Sequence, residues 1–238
     1  METAILALLP PDGGILYTET DMQRFIPEPL NTLTAGFFVV IAVYWIIRLN
    51  GFSIRSLFLS IATYILLIGS IGGTAYHGLR LYRFFILMDW VPILLLCMMA
   101  CAYFWAKILK KWAYSAIVIF LFFLLQFFIR RYMEQHNHLD WGININYGLM
   151  ALMVIAPLMV YLFRTGFNYS SLVFLAIGCF ALALFFRISD TWQLLPVGTH
   201  FLWHVLGAAA TQMLFQYVYK IENGKVVLVK SGITPRQL

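Results

Sequence analysis

Two histidines four residues apart, His200 and His204, open the last strongly apolar stretch of the chain. In a helix this spacing places both imidazoles on one face, about one turn apart, so that both can reach a single metal ion. A third histidine, His77, ends another apolar stretch, and Asp89 lies near the start of the next one. Imidazole and carboxylate groups in a lipid-embedded segment are costly and need a partner or a chemical role. These four residues therefore predict a metal-dependent catalytic site.

The residue types favour zinc as the metal. Neutral imidazoles are common zinc ligands, and three protein ligands with an open fourth position are typical of catalytic zinc sites. Zinc lowers the pKa of its bound water to about 7 and polarises a carbonyl, and a nearby carboxylate can move the proton. We therefore predict that His77, His200 and His204 bind zinc and that Asp89 is the base. The alternative for each histidine is a hydrogen-bonded packing role in a membrane helix.

Two hydroxyl residues precede His77 on the same helical face. Ser70 and Thr74 lie seven and three residues before it, which are spacings that share one side of a helix. Either hydroxyl could donate a hydrogen bond to a developing oxyanion or to bound water. The alternative is a bond back to a carbonyl one turn earlier, which is common in membrane helices. The sequence leaves both roles open.

The remaining polar residues of note lie between apolar stretches. His136 and His138 belong to a polar loop and are expected to be solvated. Arg187 and Asp190 flank the connection before the last stretch, where we expect an ion pair or a contact that supports the site rather than catalysis.

Composition assigns the chain to the membrane class. Apolar residues make up 62% of it, charged residues only 11%, and the mean hydropathy is +0.84, values far from those of soluble domains. The net charge of +6 is compatible with nucleic-acid binding in principle. However, the basic residues occur in short clusters between apolar runs, as expected for loops beside a membrane. This distribution excludes a nucleic-acid-binding surface.

Seven apolar stretches are long enough to cross a bilayer, which takes roughly 20 residues. They cover residues 30–48, 56–78, 84–106, 112–130, 144–164, 169–188 and 197–220. We predict an all-α membrane protein, with a seven-transmembrane helix bundle over 30–220 as a single domain. An N-terminal segment, 1–29, precedes the bundle, and a tail, 221–238, follows it.

The distribution of basic residues predicts the orientation. Ten lie on the C-terminal side of the predicted bundle: Arg48, Arg55, Lys107, Lys110, Lys111, Arg164, Lys220, Lys225, Lys230 and Arg236. Six lie on the N-terminal side: Arg24, Arg80, Arg83, Arg130, Arg131 and Arg187. Because cytoplasmic loops are enriched in Lys and Arg, we expect a cytoplasmic C-terminus. The N-terminus and the predicted site then face the non-cytoplasmic side.

The order of spans and motifs resembles the superfamily of alkaline ceramidases and adiponectin-receptor-like proteins. The motifs are GTAYH at 73–77, DWVP at 89–92 and GTHFLWH at 198–204, and they resemble the alkaline ceramidase branch more closely. The resemblance implies zinc-dependent hydrolysis of the amide of ceramide or a related N-acyl lipid. The products would be a sphingoid base and a fatty acid. It also implies zinc binding by the three histidines and activation of water by Asp89.

The family usually has a serine four residues before the first histidine, where this chain has Gly73. Under the resemblance, Thr74 or Ser70 would take over the role of that serine. The same branch carries a calcium site built on an Asp-Trp-x-Glu-x-Asn stretch and a later glutamate.

The corresponding stretch here is LYTETD at 16–21, followed by Glu28. The resemblance implies calcium ligation by Glu19, Asp21 and Glu28, whose oxygens are of the kind calcium binds. Leu16 replaces the leading aspartate of the family. A solvated acidic cap is the alternative.

Two other functions remain open. One is a receptor-like or signalling protein of the same superfamily, with little or no hydrolase activity. The other is a b-type haem protein with His77 and one histidine of the last span as axial ligands, which would leave the second histidine of the pair unused.

Overall fold

In the computed structural model, residues 10–136 and 139–224 are described, apart from the side chains at 112, 139 and 140. This part of the chain contains seven α-helices, one short 3-10 helix and no strand. The α-helices are α1 Pro29–Arg48, α2 Leu57–Leu79, α3 Arg83–Leu109, α4 Trp112–Gln135, α5 Leu139–Arg164, α6 Ser170–Ile188 and α7 His200–Asn223; the 3-10 helix, Ser189–Trp192, follows α6. The all-α prediction is confirmed.

Within the described residues, six helices, α1 to α6, are long and apolar enough to cross a membrane. Their outward surfaces agree with this, since large apolar side chains such as Val40, Ile47 and Phe120 are 65–71% exposed. Exposed apolar surface on this scale is uncommon in soluble monomers. The chain therefore has the features of an integral membrane protein.

The seventh predicted span forms a helix, but α7 is not among the six that meet the criterion for a membrane span. Its composition explains the difference, since it carries two histidines, two glutamines and Lys220. One of the glutamines, Gln212, accepts a hydrogen bond of 2.9 Å from the indole nitrogen of the fully buried Trp45. The polar side chains of α7 thus have partners within the protein.

The predicted loop between the fourth and fifth spans is much shorter in the structure. Helix α4 continues to Gln135, and α5 begins at Leu139. The extra turn of α4 is polar, and Arg130 pairs with Glu134 one turn later at 2.8 Å. Hydropathy marks only the part of a helix that lies in lipid, whereas backbone hydrogen bonds continue the helix into the polar interface.

The contacts within the chain divide it into two compact units, and the prediction of a single bundle domain stays a prediction. One unit comprises the chain up to Leu96 together with Leu175–Phe215, and the other comprises Cys97–Phe174 and the chain from Gln216. All residues predicted to take part in the chemistry belong to the first unit.

Glycines allow α3 to approach α2 closely within the first unit. A Cβ atom added at Gly69 would lie 2.8 Å from the Cβ of Pro92, and one added at Gly72 would collide with Met88. Such distances are too short for real side-chain contacts, so both positions require glycine. The close approach brings the first turns of α3, including Asp89, against the C-terminal half of α2.

Candidate metal centre

The three predicted zinc ligands converge in the structure. His77 lies in the last turn of α2, and His200 and His204 lie in the first two turns of α7. One ring nitrogen from each lies within 4.8 Å of the others, and all three residues are buried. Among the described residues, this is the only group of three or more His, Cys, Asp or Glu side chains close enough to share an ion.

Hydrogen bonds orient two of the rings toward a common point. The Nδ1 of His77 lies 2.5 Å from the Oε2 of Glu28, while its Nε2 is buried without a hydrogen-bond partner. The Nδ1 of His204 lies 3.1 Å from the Thr34 hydroxyl, whose own proton goes to the carbonyl of Leu30. Both Nδ1 atoms are therefore donors, which leaves the Nε2 lone pairs available for a metal. A carboxylate or other oxygen behind a histidine ligand is the usual arrangement at metal sites.

His200 completes the set. Its Nδ1 is buried without a partner, and its ring stacks on Tyr17 with the centroids 3.9 Å apart. Buried polar atoms normally have partners, so unpartnered nitrogens on His77 and His200 fit a metal ion as the missing partner. Zinc bonds of about 2.1 Å in a tetrahedral arrangement place the ligand nitrogens about 3.4 Å apart. The three ring nitrogens lie within 4.8 Å of one another, so the most distant pair would have to approach by no more than about 1.4 Å to bind one ion.

The position of Asp89 explains the glycine that departs from the family pattern. A Cβ atom added at Gly73 would lie 2.5 Å from the Oδ1 of Asp89. The carboxylate thus occupies the space that a side chain at position 73 would need. Gly73 lies four residues before His77, which is about 6 Å along a helix. The structure therefore places Asp89 about one helical turn from His77, the first candidate ligand.

The two predicted hydroxyl residues are bonded within their own helix. Ser70 donates to the carbonyl of Leu67 at 2.9 Å, and Thr74 donates to the carbonyl of Ser70 at 2.8 Å. Each hydroxyl has one proton, so neither has a second one for an oxyanion in this conformation. The geometry favours the alternative in which both residues bond back to the helix.

Glu28 contacts the centre through His77. Besides that imidazole, its carboxylate accepts hydrogen bonds from Thr20 at 2.6 Å, from the amide of Asn31 at 3.2 Å and from the guanidinium of Arg80. Burial by itself raises the pKa of Glu28, but the hydrogen bond from His77 and the charge of Arg80 outweigh it and lower the pKa. Glu28 is thus held as an anion behind a candidate metal ligand.

The three predicted calcium ligands have separate roles in the structure. Glu19 accepts the backbone N–H groups of Leu30 and Asn31 at 2.6 and 2.8 Å, which caps the start of α1. Asp21 is exposed at the surface and pairs with Arg24 at 3.0 Å. Glu28 points to His77 and Arg80. The three carboxylates do not form a common group in the described residues, and calcium binding stays a prediction.

Asp190 supports the site through the backbone. Its Oδ1 accepts the N–H groups of Thr199 and His200 at 2.7 and 2.9 Å, and its Oδ2 accepts the N–H of Thr18 at 3.0 Å. Gly198, at φ +76°, keeps this approach open, because an added Cβ would collide with the Asp190 carboxylate. The Asp190 carboxylate therefore caps the first turn of α7, which begins at His200. It also anchors the N-terminal segment through Thr18.

Replacing Asp190 with alanine should destabilise the protein, because three backbone donors lose their acceptor. Loss of a helix cap costs about 0.5–2 kcal/mol, and about 1 kcal/mol lowers the melting temperature of a chain this size by about 2–4 °C. Thermal unfolding of the purified protein in detergent measures the change. Asp190→Asn keeps one acceptor oxygen and should lose less, and an unchanged melting temperature for Asp190→Ala would contradict this role.

Arg187 approaches the centre from α6. Its guanidinium carbon lies 5.4 Å from the ring centroid of Trp203, which lies between the two histidines of α7. The sequence predicted a supporting contact here, and the structure shows a cation–π contact between Arg187 and Trp203 on α7.

His136 is exposed, as expected, and it stacks on Tyr132 at the end of α4 with ring centroids 4.2 Å apart. His138 lies outside the described residues, as do residues 1–9 of the predicted N-terminal segment and residues 225–238 of the predicted tail.

No protein-family model matches the chain, and no curated protein matches it either.

Proposed function

We propose that this protein is a zinc-dependent intramembrane hydrolase that cleaves the amide bond of ceramide or a related N-acyl lipid. The observation that carries the proposal is the buried group of His77, His200 and His204, with two unpartnered ring nitrogens and with Asp89 about one turn away. A site of three neutral ligands leaves a bound zinc ion positively charged and open to water. The resemblance to alkaline ceramidases selects the lipid amide as substrate.

When bound, zinc lowers the pKa of water and polarises the amide carbonyl. The proton transfers are carried out by a residue of the chain. Asp89 accepts the proton of the attacking water and delivers it to the amine leaving group as the C–N bond breaks, so that a fatty acid and a free amine leave. The net reaction adds one water molecule across the C–N bond. Asp89 takes up one proton and gives it back, so its carboxylate is ionised again at the end.

We propose that Arg187 takes the electrostatic role that the family resemblance gives to Ser70 or Thr74. The hydroxyl protons of both residues are committed to helix carbonyls. The guanidinium of Arg187 instead supplies a fixed positive charge for the negative charge that develops on the amide oxygen. Charge stabilisation of this kind is usually a large contribution to catalysis.

We also propose that α7 crosses the membrane as a seventh span and that both of its histidines lie in a protein-lined interior. The burial of His200 and His204 supports this, as does the pairing of Gln212 with Trp45. Polar residues in a membrane helix are tolerated where they face other helices. A two-tailed lipid would reach this interior from the bilayer, between the apolar helices.

The amide assay tests the proposed function directly. The purified protein, loaded with zinc in detergent, should release fatty acid from fluorescent N-acyl sphingosines; a chelator should abolish release, and added zinc should restore it. Several acyl chain lengths and N-acyl amines need to be tried. If the zinc-loaded protein cleaves none of them, the hydrolase proposal is wrong and the receptor-like alternative is favoured.

The proposed orientation predicts the labelling of a cysteine at Gln135, the last residue of α4. The alternation of spans puts this position on the non-cytoplasmic side, so a membrane-impermeant maleimide should label Gln135→Cys in intact cells. Cys97, Cys101 and Cys179 lie within helices and are replaced by alanine in the background. Lys110→Cys is the control and should react only after permeabilisation. The reverse pattern would invert the topology.

A further inference from the structure

Arg80 is a fully buried arginine that directly follows α2, three residues after His77. It adopts a left-handed backbone conformation, with φ 52°, which costs a non-glycine residue about 1 kcal/mol or more. A strained arginine with no exposure to solvent needs compensating contacts. The N-terminal segment supplies hydrogen bonds to it, and Tyr76 packs on its guanidinium.

The guanidinium joins two acidic residues. Its Nε and Nη2 donate to the two carboxylate oxygens of Asp12 at 2.8 and 3.2 Å, and its Nη1 donates to the Oε1 of Glu28. Nη2 also donates to the carbonyl of Ile15 at 2.9 Å. The fork on Asp12 is the bidentate geometry in which arginine binds carboxylates most strongly.

The ring of Tyr76 covers the same guanidinium, and the Cζ atom of Arg80 lies 4.7 Å from the ring centroid. Burial by itself lowers the pKa of Arg80, but hydrogen bonding to Asp12 and the charges around it raise the pKa above its ordinary value. Arg80 is therefore a permanent cation inside the protein, with a position determined by several independent contacts.

These contacts form a continuous chain of hydrogen bonds from the N-terminal segment to the metal centre. Asp12 binds Arg80, Arg80 binds one oxygen of Glu28, and the other oxygen of Glu28 lies 2.5 Å from the Nδ1 of His77. We infer that Arg80 and Asp12 are positioning residues of the metal centre, acting through Glu28 to set the orientation of the His77 imidazole. This inference rests on the metal site of the proposed function but not on amide hydrolysis.

A second consequence concerns calcium. The carboxylate of Glu28 already has a cationic partner in Arg80, which it shares with Asp12. Under this inference Arg80, rather than a second metal, holds Glu28 against His77. Calcium binding by Glu19, Asp21 and Glu28 and this inference make opposite predictions, so one experiment separates them.

The test measures zinc affinity in the purified full-length protein by competition with a chelator, together with the visible spectrum of the cobalt-substituted form. Arg80→Met should weaken zinc binding about 10- to 100-fold, the usual effect of removing an outer-shell partner. It should also shift the cobalt spectrum, which reports the ligand geometry and does not respond to a general loss of stability. Arg80→Lys keeps the charge without the fork and should recover part of the affinity.

Two further variants keep the test decisive if Arg80→Met does not fold. Asp12→Asn preserves shape and should shift affinity in the same direction by a smaller factor, and Glu28→Gln should have the largest effect. Arg24→Met is the matched control, because Arg24 forms an exposed pair with Asp21 in the same segment. It should bind zinc like the wild type.

Three results would overturn the inference. The first is wild-type zinc affinity and an unchanged cobalt spectrum in both Asp12→Asn and Glu28→Gln, or in a folded Arg80→Met protein. The second is a loss of zinc affinity when calcium alone is removed from the wild type, because a bound calcium ion would then be the partner of Glu28. The third is a wild-type protein that binds neither zinc nor cobalt, which would remove the metal centre itself. Amide hydrolysis enters none of these measurements, so a failed lipid assay leaves the inference standing.

Discussion

Replacing Asp89 with asparagine is expected to lower the rate of amide hydrolysis about 100- to 10,000-fold, the usual contribution of a general acid–base residue. The amide side chain has the size of the carboxylate and fits the space left by Gly73, where an added Cβ would lie 2.5 Å from Oδ1. It cannot accept a proton from water at neutral pH. The change therefore removes the base and leaves the packing of α3 on α2 in place.

The measurement is kcat for fatty-acid release, taken with the zinc content of the same preparation. Asp89→Asn should keep its zinc, because the carboxylate is not one of the three ligands. Glu134→Gln, an acidic residue paired with Arg130 at the end of α4, is the control and should hydrolyse at the wild-type rate. Full activity in Asp89→Asn would show that another group moves the proton.

Replacing His204 with alanine is expected to remove the metal. One of three protein ligands is lost. The two that remain, His77 and His200, are fewer than the three protein ligands that a catalytic zinc site needs. The bound zinc should fall from roughly one ion per chain to a small fraction, and hydrolysis should fall with it. Elemental analysis of the protein after gel filtration measures the metal, and the same sample gives the rate.

Thermal unfolding adds a reading that does not depend on activity. A ligand that binds only the folded state stabilises it by RT ln(1 + [L]/Kd), about 2.7 kcal/mol at a concentration 100 times Kd. Zinc should therefore raise the melting temperature of the wild type and of His136→Ala, whose histidine is exposed, but not that of His204→Ala. An equal zinc-induced shift in His204→Ala would contradict the assignment of His204 as a ligand.

The candidate metal site could be predicted from the sequence because each part of it has a local signal. His200 and His204 share a helical face by their spacing alone, and the alternation of apolar stretches assigns His77 and Asp89 to the same side. Helix positions were predicted within a few residues in the apolar regions. The errors occurred where polar residues continue a helix, as at the end of α4.

The supporting contacts had no such signal. Glu28 and His77 lie 49 residues apart, and nothing in the spacing of either residue indicates that they touch. The family resemblance implied calcium at the acidic residues of the N-terminal segment. The cation that Glu28 binds in the structure is Arg80, which the sequence analysis had counted only as a residue beside the membrane.

The sequence by itself determined the class of the protein, the order of its apolar helices and the three histidines with their aspartate. Hydropathy is summed along the chain and helical spacing is local, so both can be read without a fold. Only the tertiary structure decided which ring nitrogens remain available, why position 73 is glycine, and that Glu28 contacts His77. Those facts depend on distances between side chains far apart in the chain, and such distances exist only after the helices have packed.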